Sequence, residues 1–163
     1  MIPSDHYVRY YNEVFKAMDE LGREHLQEYW REVGRLQTQE LGRRFGEGGL
    51  QACYDYWKVI KEEENCEADL TLTEDYFEFK MHKCPSLSKV LDNDASASPV
   101  YCDHCMGWIE IVMEAGGLYA VMDMHSRTEP YCHFRVYTDK AKADEFAATT
   151  RLPSCPYGAC EQN

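Results

Sequence analysis

The stretch from Cys66 to Cys84, CEADLTLTEDYFEFKMHKC, decides the fold class, because the hydrophobic period changes there from helical to alternating. Leu70 and Leu72 alternate with Thr71 and Thr73, and Glu74-Asp75 supplies a turn. Phe77, Phe79 and Met81 then alternate with Glu78, Lys80 and His82. Successive side chains of a strand point to opposite faces, so this is a hairpin with an apolar face and a polar face that carries His82. Cys84-Pro85 marks its end, since proline cannot donate to a strand ladder.

Upstream the pattern is helical. Ser4 can cap a helix in which Tyr7, Tyr10, Val14, Met18 and Leu21 recur on one stripe, with Gly22 as a break or a soft point. Leu26, Tyr29, Trp30, Val33 and Leu36 make a second stripe that runs to about Leu41. The glycines of GRRFGEGG, Gly42 to Gly49, predict a turn. Leu50, Cys53, Tyr54, Trp57 and Ile60 follow as a third helix that ends in Glu62 to Asn65. No cluster of ligand-type residues interrupts Tyr7 to Ile60, and His25 reads as a solvated helix residue. These helices are expected to pack and to be candidates for subunit contacts in a homo-oligomer, not to carry chemistry.

Downstream, DNDASASP from Asp92 to Pro99 is a loop of small polar residues that could serve as a lid. Pro99 to Ala115 returns to helical spacing, with Ser98 as cap, Pro99 at the first position and Gly116-Gly117 as stop. Leu118 to His125 and Tyr131 to Tyr137 form an antiparallel pair across SRTEP, with Cys132, Phe134 and Val136 on the apolar face. Lys140 to Thr149 forms a short last helix. The whole predicts one α+β domain over residues 1–150, with N-terminal helices packed on an antiparallel sheet and a flexible tail over 151–163 that carries Cys155 and Cys160.

A chain of 163 residues with 44% hydrophobic and 13% aromatic residues can bury a sizeable core. The net charge of −12 repels phosphate backbones and anionic lipid, so no nucleic acid and no membrane is expected as partner. No basic-then-apolar leader opens the chain, and no run of about 18 apolar residues occurs. A cytoplasmic location is the expectation. In that compartment the eight cysteines are ligand, redox or catalytic candidates before they are disulfides.

The chemistry concentrates in YCDHCMGW, Tyr101 to Trp108, where Cys102, Asp103, His104 and Cys105 stand together, with HKCP (His82 to Pro85) upstream and YCHF (Tyr131 to Phe134) downstream. Zinc or another metal would need four ligands, which Cys84, Cys102, Cys105 and Cys132 could supply, with His82 or His104 as substitutes. Only one CxxC of this internal kind is present, without a second at ribbon spacing. A dithiol redox site lacks the strand that should precede the motif. Thiols that merely pack are the plain alternative; Cys53 and Cys66 are read that way. Catalysis is the remaining reading, with Cys102 at a helix start, where the dipole should lower its pKa.

A strand leading to Cys84-Pro85, a helix opening at Tyr101-Cys102 and an antiparallel pair carrying Cys132-His133-Phe134 resemble the L-2-amino-thiazoline-4-carboxylic acid hydrolase family, over about Tyr76 to Tyr137. The resemblance implies a fold of the 4-vinyl reductase and H-NOX-like group, with helices in front of a twisted antiparallel sheet and a ligand pocket between. It implies hydrolysis of a small cyclic C=N compound bearing a carboxylate. Cys102 would be the nucleophile, Asp103 or His104 the acid–base group, Cys84 and Cys132 the other pocket thiols, and Arg135 or Arg127 the carboxylate clamp. The alternative is a 4-vinyl reductase-type module that binds a small ligand or metal without turnover.

Overall fold

The computed structural model describes residues 5–92 and 96–158; Ser4, residues 93–95 and Cys160 lie outside them. Two helices open the described chain, α1 (Asp5–Leu21) and α2 (Arg23–Gln37), parted at Gly22, whose φ of 135° few other residues adopt. A π-helical turn (Thr38–Gly42) leads into α3 (Arg43–Glu63). Strands β1 (Glu67–Leu72) and β2 (Tyr76–Lys83) follow, then helices α4 (Pro85–Leu91) and α5 (Asp103–Ala115). Strands β3 (Tyr119–Asp123) and β4 (Cys132–Tyr137) and helix α6 (Lys140–Ala147) complete the order. The expected α+β class is what the chain adopts.

All strand pairings are antiparallel, in the order β1-β2-β4-β3. The register sets Leu70 opposite Phe79, Phe79 opposite Phe134, and Phe134 opposite Met122, so one apolar row crosses the whole sheet. Helix α3 lays Trp57 on that apolar face, with ring centroids 5.2 Å from Phe134 in the row and 5.6 Å from Phe77 in the next. Each fully buried aromatic of this kind contributes about 1.5–3 kcal/mol of transfer free energy. A second core lies among the helices, where Phe15 meets Trp30 at 5.7 Å, Tyr101 at 5.9 Å and His104 at 5.3 Å. Helix α5 therefore sits between both cores, and its first turn is held from the helical side.

Three expectations are corrected. The glycines at 42–49 do not make a turn. Residues 38–42 are π-helical and α3 begins at Arg43, with a kink only at Gly49, at φ 58° and ψ −145°. A Cβ on Gly42 would lie 3.1 Å from Ala115 Cβ, and one on Gly46 would lie 3.3 Å from Gly116 Cα. These glycines let the end of α5 approach closely; they do not turn the chain. The helix expected from Pro99 begins only at Asp103, because 98–102 closes as turns. The Tyr101 N–H donates to the Ser98 carbonyl at 3.0 Å, and the Ser98 hydroxyl accepts from Val100 N–H at 3.4 Å. This end of the expected lid is tied to α1, since Asn12 accepts from Ser98 N–H at 2.8 Å and donates to the Ser96 carbonyl at 3.1 Å.

The tail is also not loose up to residue 158. Met124 N–H donates to the Leu152 carbonyl at 2.9 Å and Ser154 N–H to the Met122 carbonyl at 3.1 Å, so 152–154 runs along the edge of β3. The Asp123 carboxylate accepts the Arg151 and Leu152 N–H groups, each at 2.9 Å. Gln27 donates to the Pro156 carbonyl at 2.9 Å, and the Tyr157 hydroxyl donates to the Gly107 carbonyl of α5. Cys155 is disulfide-bonded. Among the described residues no helix is long and apolar enough to cross a membrane.

Candidate functional site

Three chain breaks bring the thiols together. β2 stops at Lys83, and Cys84 becomes the N-cap of α4, a helix the sequence did not suggest. Its backbone is extended, Pro85 takes the first helical position, and its Sγ accepts the Leu87 N–H at 3.3 Å. The Cys84 N–H donates to the Pro130 carbonyl at 2.7 Å, which ties this corner to the β3–β4 connection. Cys102 closes the turn ahead of α5, and Cys132 opens β4. Cys84, Cys102, Cys105 and Cys132 line one cavity of about 40 Å³, with Tyr101, His104, Met122, Met124 and Tyr131 among the other walls. That volume suits one or two waters.

Burial dominates the electrostatics. It pushes the Cys102 thiol up to about 12, helped by the neighbouring Cys84 and opposed by Arg127. It likewise raises Cys84, Cys105 and Cys132, and Cys84 makes ionisation of the other three thiols harder. The expectation that the helix start acidifies Cys102 is overturned. Cys102 has helical backbone angles, φ −70° and ψ −18°, and its side chain makes no capping hydrogen bond, so no helix N–H group is aimed at its sulfur. At neutral pH all four thiols are protonated.

One thiol has a base beside it, and it is not Cys102. His104 is buried, and its Nδ1 faces the Tyr101 carbonyl. A carbonyl can only accept, so Nδ1 carries the proton and Nε2 is the acceptor. That Nε2 lies 3.5 Å from Cys105 Sγ. Burial drives the His104 imidazole down to about 4 and keeps it neutral, with the Tyr101 carbonyl opposing. Carbonyl, imidazole and thiol thus form an orienter, an acceptor and a donor in sequence, the order that a thiol nucleophile requires.

The other expected site residues are placed elsewhere. Asp103 holds Arg127 through two hydrogen bonds of 2.8 and 3.2 Å and accepts from the Ser154 hydroxyl at 3.3 Å. Arg127 also donates to the Pro99 carbonyl at 3.2 Å. This clamp fixes the α5 start to the β3–β4 connection, and neither residue lines the cavity. Arg135 is on the opposite face of β4 from Cys132. Its Nε donates to Glu78 at 2.6 Å, where His133 binds the same oxygen at 2.7 Å. Its guanidinium lies 4.6 Å over the Tyr76 ring and 4.3 Å over Phe146. Both arginines expected to clamp a carboxylate are therefore already engaged. Among the described residues no three His, Cys, Asp or Glu side chains stand close enough to share a metal ion, so the four thiols are not a ligand set as they lie.

A second cavity escaped the sequence reading. It is a half-open cleft of about 370 Å³ beside the first, walled by Phe45, Tyr56, Trp57 and Trp108 among others, with Glu64 and Gln37 as its acidic and amide groups. Cys105 lines both cavities. The signal available in the sequence was an aromatic stripe ending in Glu62 to Asn65, which has the same pattern as an ordinary core stripe.

Fold and site together define a class: an α+β domain with a thiol-walled cavity between an antiparallel sheet and the starts of two helices. Compared with known families, curated proteins and solved structures, the chain matches none.

Proposed function

We propose that this chain is a thiol-dependent hydrolase of small cyclic amidines, similar to the L-2-amino-thiazoline-4-carboxylic acid hydrolases and built on their 4-vinyl reductase and H-NOX-like fold. The observation that carries the reading is the Tyr101 carbonyl–His104–Cys105 alignment in the wall of the thiol cavity. The amidine carbon is electrophilic. The substrate enters as its amidinium, with the ring nitrogen already protonated. Cys105 Sγ bonds to the carbon while the thiol proton passes to His104 Nε2, and the C=N π pair returns to the ring nitrogen. Collapse breaks the bond from that carbon to the ring hetero-atom, which leaves with the proton from His104. Water then adds to the carbon and expels the thiol, so the net change is one water consumed and one ring opened. A resting thiol that is neutral suits this scheme when the substrate brings positive charge, because a cation beside Cys105 favours its thiolate.

The test is turnover of 2-amino-thiazoline and of its 4-carboxylate, read as new thiol in solution and as a ring-opened product one water heavier by mass. Cys105→Ser should abolish it, while Cys102→Ser should leave it measurable. Loss with Cys102→Ser and retention with Cys105→Ser would reverse the assignment. A second reading, a binding module without turnover, is favoured by one observation: the thiol cavity holds only about 40 Å³. Under that reading the protein shows no turnover, and Cys102→Ser and Cys105→Ser leave its catalytic rate unchanged at zero.

A further inference from the structure

The cavity of about 370 Å³ lies in the size range of small-molecule sites, and its chemistry is one-sided. Phe45, Tyr56, Trp57 and Trp108 offer aromatic faces, and none of its lining residues is Lys, Arg or His. Glu64 is its charged group, placed where α3 ends and where the helix carbonyls add negative potential. Burial raises the Glu64 carboxyl, opposed by the charge of the N-terminal amine and helped by Glu63, and a cation in the cavity would offset the burial. The net charge of −12 draws cations towards the surface and repels anions.

We infer that this cavity is a binding chamber for a planar organic cation, an aromatic amidine, guanidine or amine without a carboxylate, with Glu64 as its counter-charge and Gln37 as a second polar anchor. Aromatic faces attract a cation through the ring quadrupole, and flat apolar walls accept the rest of such a ligand. Carboxylates are disfavoured because no Lys, Arg or His lines the chamber and Glu64 repels them; Arg44, 5.7 Å over the Tyr56 ring, is not among the lining residues. Cys105 forms part of its wall, so the bound cation lies next to the thiol that His104 faces. That adjacency to chemistry rests on the hydrolase reading; binding in the chamber does not.

Benzamidine, benzamide and benzoate share one shape and differ in charge, which makes them the probes. Binding to the full chain is followed by the fluorescence of Trp57 and Trp108 and by calorimetry. Benzamidine should bind at least about tenfold more tightly than benzamide, the difference expected of one charge-assisted hydrogen bond, and benzoate should not bind. Glu64→Gln should erase the preference for benzamidine while benzamide binds as before. Ile60→Phe, which fills the chamber without touching its charge, should block all binding. Equal affinity for the three probes, no benzamidine binding at millimolar concentration, an undiminished preference in Glu64→Gln, or full binding in Ile60→Phe each overturns the inference. Turnover without benzamidine binding removes the chamber and leaves the hydrolase reading. Benzamidine binding without turnover of any amidine does the reverse.

Discussion

β4 separates two environments with successive residues. Cys132 and Phe134 face the thiol cavity and the core, whereas His133 and Arg135 face outward beneath α6, around Glu78. On the inner side, burial comes without an ionic partner, so thiols stay protonated and His104 stays neutral. On the outer side, burial comes with partners. It would raise the Glu78 carboxyl, yet hydrogen bonds from His133 and Arg135 more than offset this and lower it. The same loss of water thus has opposite results a single residue apart. Geometry decides which groups are charged; depth alone does not.

The largest break in this comparison comes from the inner row. Phe134→Ala should cost about 3–5 kcal/mol in urea unfolding, because Trp57 and Phe77 lose the ring they pack on. A loss below about 1 kcal/mol would mean that the row is not the core.

The next effect is a pH dependence. The folded His104 pKa is about 4 against 6.5 unfolded, so between these values the unfolded chain binds a proton that the native one refuses. Stability should fall as pH drops through that window, by on the order of 3 kcal/mol. His104→Gln should flatten this slope, whatever it does to stability at pH 7. On the outer face, the contribution of Glu78 is present above its unfolded value of 4.5 and is lost only as pH falls through its lowered folded value. The His104 window lies mainly above the Glu78 window and overlaps it only between about 4 and 4.5, so a slope above pH 4.5 that is unchanged by His104→Gln would contradict the assignment. Glu78→Ala should cost about 2 kcal/mol at pH 7 by stranding Arg135 and His133. The smallest effects should be those of His25→Ala and His82→Ala, with melting temperatures matching the parent. His25 is exposed, and His82 meets Asp69 on the open side of β1 and β2.

Alternation made the sheet legible, because a period of two allows one face only, and the row from Leu70 to Met122 follows from it. The same rule already put Arg135 on the face opposite Cys132, so its removal from the pocket could have been read from the sequence. Other features were not legible. Glycine marks a turn and a close helix approach with the same letter, which hid the helical path through Gly42 and Gly46. Neighbours at i and i+1 on a helix do not normally face each other, which hid the pair His104–Cys105. Cys102 held the helix start in the sequence, but desolvation outweighs the dipole there.

The most direct test of the central claim, that Cys105 and not Cys102 is the thiol that His104 serves, is competitive alkylation mapped by mass spectrometry. The reagents are chloroacetamidine, a cationic electrophile, and iodoacetamide, a neutral one, applied after dialysis against a chelator. Chloroacetamidine should label Cys105 ahead of Cys102 and Cys53, His104→Gln should slow that labelling, and iodoacetamide should show no such preference. Labelling of Cys102 first, or an unchanged Cys105 rate in His104→Gln, would contradict the account.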